Sequence, residues 1–89
     1  VIMIEIIFDK DNKQSVAYDN SMRIGECDYI EIENTWNIIH TEVKDSHQGQ
    51  GIARKLVDCI FENAKKYNKN LIADCSYAKK VIERRKKEE

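Results

Sequence analysis

A chain of 89 residues has room for one domain, expected over residues 1–89, and none for a second. Its 42% hydrophobic content is too high for a disordered segment. No apolar run approaches the ~18 residues of a membrane helix, so no membrane role is expected. A net charge of −1 argues against general nucleic-acid binding. The three cysteines, Cys27, Cys59 and Cys75, are too few and too widely spaced for a disulfide framework or a zinc site, which points to reduced thiols in the cytoplasm.

The N-terminal run over residues 2–8 is rich in isoleucine and has no basic flank, so it is expected to be a strand and not a signal peptide. A polar turn follows, then a short strand over Ser15–Tyr18, another turn at Asp19–Ser21, and a longer strand from Met22 to Ile32. The apolar positions of that third strand do not keep one parity, which suggests a bulge near Gly25. Trp36–Val43 forms a fourth strand with apolar residues on both faces, as in an interior strand. The short connections imply an antiparallel meander of four strands. Trp36, with Tyr18 and Tyr29, is expected to pack the sheet.

The period then changes. Apolar residues at 52, 53, 56, 57, 60, 61 and 64 lie on one face of a helix expected from about Gly49 to Tyr67. Asn68–Asn70 stops it, and Leu71–Asp74 makes a short buried strand. A strand–helix–strand unit implies that the fifth strand runs parallel to the fourth. Ser76 is the expected N-cap of a last helix reaching about Lys87. The fold class is therefore α/β (α+β). Cys27 and Cys59 are assigned structural places, Cys59 lying off the apolar stripe.

Proline is absent and there are only three glycines, two of them at 49 and 51. They fall in the turn Gln48–Ala53, where a strand gives way to a helix. The first amides of a helix lack internal partners and carry its positive dipole end. Glycines let such a turn approach a phosphate, and Arg54 and Lys55 follow with full charges. The spacing fits a pyrophosphate cradle and equally a tight turn whose glycines accept positive φ. It is neither a Walker loop, since no Gly-Lys-Ser/Thr ends it, nor the dinucleotide fingerprint, since the third glycine is missing.

The segment Gln48-x-x-Gly51-x-Ala53 resembles the Q/R-x-x-G-x-G/A signature of the GNAT superfamily of N-acetyltransferases. His40-Thr41-Glu42-Val43 before it and Asp74-Cys75-Ser76-Tyr77 after the next strand extend the likeness to small single-domain members, over roughly residues 22–86. The resemblance implies a minimal GNAT fold that binds acetyl-CoA (coenzyme A as carrier, no metal). The amides of Gln48, Gly49, Gln50, Gly51, Ile52 and Ala53 would grip the diphosphate. The fourth and fifth strands would splay apart and take the pantetheine arm against Thr41, Glu42 and Val43. His47 would flank the cofactor, Cys75 and Ser76 would stand at the mouth of the gap, and Lys79, with Lys80, could meet the 3′-phosphate. Residues 84–87 are expected to be a solvated helix end.

Two residues are candidates for catalysis. Cys75 could act as a nucleophile or as an acid or base near the thioester, or could simply be a small buried side chain. His40 could serve as general base for an ammonium acceptor, or could be a hydrogen-bonded structural histidine. Glu42 shares its face by alternation. Tyr77 could protonate the leaving thiolate. The expected activity is acetyl transfer to an unidentified amine, with a covalent acetyl-Cys75 route as a variant. The alternatives are a non-catalytic acetyl-CoA binding or sensing module and an interaction domain whose loop binds nothing.

Full-length members carry a helical segment between their first two strands and further strands after the last helix. Neither is present in this sequence, so the acceptor site is expected to be open or completed by a partner. Residues 1–45 carry a balance of −6 and residues 46–89 one of +5, so the first half could steer a cationic amine weakly. A monomer or weak dimer is expected.

Overall fold

The computed structural model describes residues 3–88. Five strands form one sheet in the order β1-β2-β3-β4-β5: β1 (Ile4–Asp9), β2 (Gln14–Asp19), β3 (Met22–Ile32), β4 (Thr35–Val43) and β5 (Asn70–Ala73). The first four are antiparallel in sequence, and β5 runs parallel to β4. A 3-10 turn over Asp45–His47 leads to helix α1 (Ile52–Lys66), and α2 (Ser76–Glu88) follows β5. The first strand begins at Ile4; its expected residue Ile2 lies outside the described residues. No helix among the described residues is long and apolar enough to cross a membrane.

Both helices contribute to a single core on one face of the sheet. Ile52, Leu56, Val57, Ile60, Phe61 and Ala64 of α1 and Ala78, Val81 and Ile82 of α2 are buried against the sheet's inner residues. Ser15 donates its hydroxyl to the Leu56 carbonyl at 2.8 Å, tying α1 to β2. At Gly25 an added Cβ would stand 3.0 Å from the Glu42 carbonyl oxygen and 3.3 Å from Leu56, so any larger residue would push α1 and β4 away. Trp36 is fully buried and stacks on Tyr29 at 4.3 Å, and Phe8 completes a three-ring cluster at 5.9 Å from Trp36 and 6.3 Å from Tyr29. Tyr18 does not join them. It pairs with Glu5 on the opposite face, two positions from Val16.

Helix α1 starts with its first apolar residue, Ile52, and not at about Gly49 as expected, because Gly51 sits at φ 77°, a left-handed conformation that cannot continue a helix. Its other end closes in a Schellman turn. Asn68 takes φ 56°, Asn68 N–H donates to the Lys65 carbonyl at 3.1 Å, and Lys69 N–H donates to Ala64 at 2.8 Å. The N-cap of α2 is Cys75 and not Ser76, since the Cys75 carbonyl accepts the first helical bond from Lys79 N–H at 3.0 Å. Arg85 departs from the expected solvated end. It pairs with Asp58 at 2.7 Å and with Glu62, and its guanidinium lies 4.5 Å from the Phe61 ring, clamping α2 to α1.

Two irregularities shape the sheet. Ala17 pairs with Gly25 and Tyr18 with Arg23, which leaves Ile24 as the extra residue of a bulge beside Gly25. A second bulge, which the pattern did not announce, leaves Ile39 extra, since Asp28 pairs with His40 and Tyr29 with Ile38. It reverses the parity of β4. Trp36 and Ile38 face the helices before it, Thr41 and Val43 after it.

Candidate functional site

β4 and β5 pair only from Thr35–Asn70 to Ile38–Ala73. There the Ile38 carbonyl accepts from Asp74 N–H at 3.0 Å and from Cys75 N–H at 3.2 Å, and β5 gives way to α2. The junction is locked by a reciprocal pair: Asn37 donates to the Asp74 carboxylate at 3.0 Å and accepts from Asp74 N–H at 2.9 Å. Beyond it, His40–Val43 pairs with β3 alone, and among the described residues no strand lies on its other edge. β4 outruns β5, which ends at Ala73, and this opens the edge where the splay was expected.

The open edge leads to the glycine turn. A cleft of about 300 Å³ is bordered by Val43, His47, Gln48, Gly49, Gly51, Ile52, Ala53 and, from α2, Tyr77. Gly49 and Gly51 have φ of 80° and 77°, and nothing lies within 4 Å of where a Cβ would sit on either. No side chain caps α1, so the amides of Ile52, Ala53 and Arg54 leave the helix end without intrahelical acceptors. The Gln48 side chain folds back, donating to the Val43 carbonyl and to Asp45 Oδ1, each at 3.2 Å. It secures the turn to the top of β4 and does not cover the amides of the helix end.

His47 is buried in this otherwise exposed loop. Its Nε2 lies 2.7 Å from Asp19 Oδ2 and its Nδ1 2.7 Å from Ser46 Oγ. The hydrogen bond to His47 holds the Asp19 carboxyl below the ordinary range, against the cost of burial. Nothing in the sequence marked Asp19, which looked like a turn residue 28 positions away.

The remaining expected residues fall in separate places. Cys75 is half-buried, and its thiol faces Thr41 Oγ1 at 3.7 Å; the Thr41 hydroxyl donates onward to Cys27 Sγ at 3.5 Å. Burial pushes the Cys27 thiol up to about 12, so Cys27 stays protonated. Gln50 and Ser76 are exposed and do not border the cleft. Lys79 borders a different hollow, over β5, with Ile82 and Lys86.

His40 and Glu42 do share a face, 3.1 Å apart, but it is the sheet face that carries no helix. Glu26 and Asp28 lie beside them on β3. Burial, then the hydrogen bond with Glu26 and its charge, push the Asp28 carboxyl up to about 6. Glu26, Asp28 and His40 bring one potential cation ligand each within 4.8 Å of one another, and none of the three borders the glycine cleft.

An α/β sheet whose parallel β5 stops short of the end of β4, with a glycine turn opening a helix beside the free edge, is the architecture expected from the resemblance of the sequence signature. Comparison makes the assignment. The chain matches the profile of the family "GCN5-related N-acetyl-transferase" over residues 14–89 and belongs to that family. It is similar to the solution structure of a GCN5-like candidate N-acetyltransferase from Staphylococcus aureus, at 32% identity and TM-score 0.68, with 91% of this chain and 79% of that one covered.

Two further likenesses bear on the fold alone. An IAA acetyltransferase from Bacillus cereus superposes with TM-score 0.65 at 21% identity, covering 96% of this chain and 75% of that one. N-acetylglutamate synthase from Neisseria gonorrhoeae, complexed with coenzyme A and N-acetyl-glutamate, superposes with TM-score 0.63 at 15% identity over 76% of this chain and 19% of that one. No curated protein sequence matches the chain.

Proposed function

We propose that this domain binds acetyl-CoA in the glycine cleft and transfers the acetyl group to a primary amine. The observation that carries the reading is the uncapped start of α1, whose first residues border an open cleft beside the β4 edge that has lost its strand partner. The amides around Gly51 would hold the diphosphate. The β4 edge at Thr41–Val43, where only the Val43 carbonyl is engaged, by the Gln48 side chain, would hydrogen-bond the amide groups of the pantetheine arm, as a strand edge takes an extended peptide. The crystallised Neisseria relative, with coenzyme A in its structure, supports this choice of cofactor.

In the transfer, the unprotonated amine attacks the thioester carbonyl. The N–C bond forms, the C–S bond breaks, the amine loses a proton, and the departing thiolate takes one. Tyr77, which borders the cleft, and Cys75, at the start of α2, are the nearest candidates for supplying that proton. His40 and Glu42 stand on the helix-free face, where a cationic acceptor would meet Glu26 and Asp28 as well. A second route passes the acetyl group through Cys75: its sulfur attacks the same carbonyl, coenzyme A leaves as the thiol, and the amine then takes the acetyl group from Cys75.

Titration with acetyl-CoA, followed through the backbone amide signals of residues 48–54, tests the binding site. Shifts concentrated there are expected. In Gly51→Val they should vanish, because a β-branched residue is strained at φ 77° and its side chain enters the cleft. Unchanged affinity in that variant would remove the cradle. Intact-mass analysis after incubation distinguishes the routes, since only an acetyl-Cys75 enzyme gains about 42 Da. Turnover of an amine acceptor separates an enzyme from a binding or sensing module.

A further inference from the structure

We infer that Asp19 and His47 are positioning residues for the cofactor loop, fixing where the diphosphate-binding amides stand before the ligand arrives. The inference rests on the glycine cleft being the acetyl-CoA site. From Lys44 to Gly51 every residue is exposed except His47. Its imidazole turns inward, and both ring nitrogens are engaged, one by Asp19 Oδ2 and one by Ser46 Oγ, each at 2.7 Å.

Lys44 N–H bonds the Ile24 carbonyl at 2.8 Å, where the loop leaves the sheet. Among the described residues, the bond from His47 to Asp19 is then the one hydrogen bond that joins positions 45–51 to a distant element. The contacts of Gln48 reach no further than Asp45 and Val43. Downstream, Gly49 and Gly51 have open space where side chains would pack. The next fixed point is Ile52, 2% exposed. The cradle is thus hung between two pegs, His47 and Ile52, with glycines at positive φ between them.

An apolar side chain at 47 would fill the space without the cost of burying a polar pair. Two directional bonds supply what it would not, a fixed ring orientation and hence a fixed start to the turn. His47 borders the cleft as well. Neither Asp19 nor the loop contact it makes needs to touch the acetyl group, so the pair acts through the amides it places.

Calorimetric titration with coenzyme A and with S-acetylpantetheine, which lacks the diphosphate, tests this on the full chain. Asp19→Ala is expected to weaken coenzyme A binding about tenfold. Its affinity for S-acetylpantetheine should stay within about twofold of the wild type, and Asp19→Asn, which can still accept from the imidazole, should recover most of the loss. Ile82→Val, a core change away from the loop, controls for stability and should bind coenzyme A as the wild type does. If Asp19→Ala does not fold, Asp19→Ser, which keeps a polar group in the pocket but with a shorter side chain, carries the same comparison. Wild-type binding with equal affinity in the variants, or an equal loss for both ligands, overturns the positioning role alone. A wild-type protein that binds no coenzyme A overturns the cofactor reading, and the positioning role with it.

Discussion

The two halves of β4 behave as different materials. From Thr35 to Ile38 the strand is paired on both sides, buries Trp36 and Ile38 completely, and is sealed by the Asn37–Asp74 exchange. From Ile39 to Val43 it is paired on one side only, and its side chains are half-buried or exposed. The closed half supplies stability. The open half has no neighbouring strand on one side, where the Gln48 side chain takes the Val43 carbonyl and the edge around Thr41 stays open. One bulge and one short neighbouring strand separate the two, so the open edge continues directly from the paired half.

The largest expected effect lies in the closed half. Trp36→Ala removes the centre of the Phe8–Tyr29–Trp36 stack and should cost about 3–5 kcal/mol. Against a typical total of about 5–15 kcal/mol, urea denaturation should show a protein close to unfolding. A loss below about 1 kcal/mol would mean that the closed half is not the stabilising one. Asn37→Ala acts at the boundary. It removes both side-chain bonds to Asp74 and should cost about 1 kcal/mol, with faster amide exchange confined to Asp74 and Cys75. Exchange that stays slow there would show that the Ile38 carbonyl alone holds the junction.

The smallest effect belongs to the helix-free face beside the open half, and depends on pH. The Asp28 carboxyl is pushed from its ordinary 3.8 up to about 6, so folding favours its protonated form. The stability it contributes is complete below 3.8 and is lost as pH rises through about 6. Asp28→Asn should therefore stabilise the protein above pH 6 and change little near pH 4. The gain should be under about 1 kcal/mol, because the group is partly exposed. Thermal melts across that range that shift equally at every pH would assign the effect to something other than ionisation.

Much of this arrangement follows from local spacing. The isoleucine-rich strands, the 3.6-residue period of α1 and the glycines at 49 and 51 each report on their own neighbourhood, and strand–helix–strand order implies the parallel β5. The signature Gln48-x-x-Gly51-x-Ala53 located the cleft for the same reason, since a helix start and positive φ are local demands. What stayed hidden depends on partners remote in sequence. The Ile39 bulge exists only as a mismatch between β3 and β4, so the exact face of each residue beyond it was set by pairing and not by alternation alone. Arg85 reaches Asp58 and Glu62 only because α2 folds back on α1. His47 looked like a loop residue until the end of β2 came beneath it. Periodicity fixes which elements form, whereas contacts across tens of residues exist only once the sheet has closed on its helices, and one of them ties the glycine loop to the end of β2.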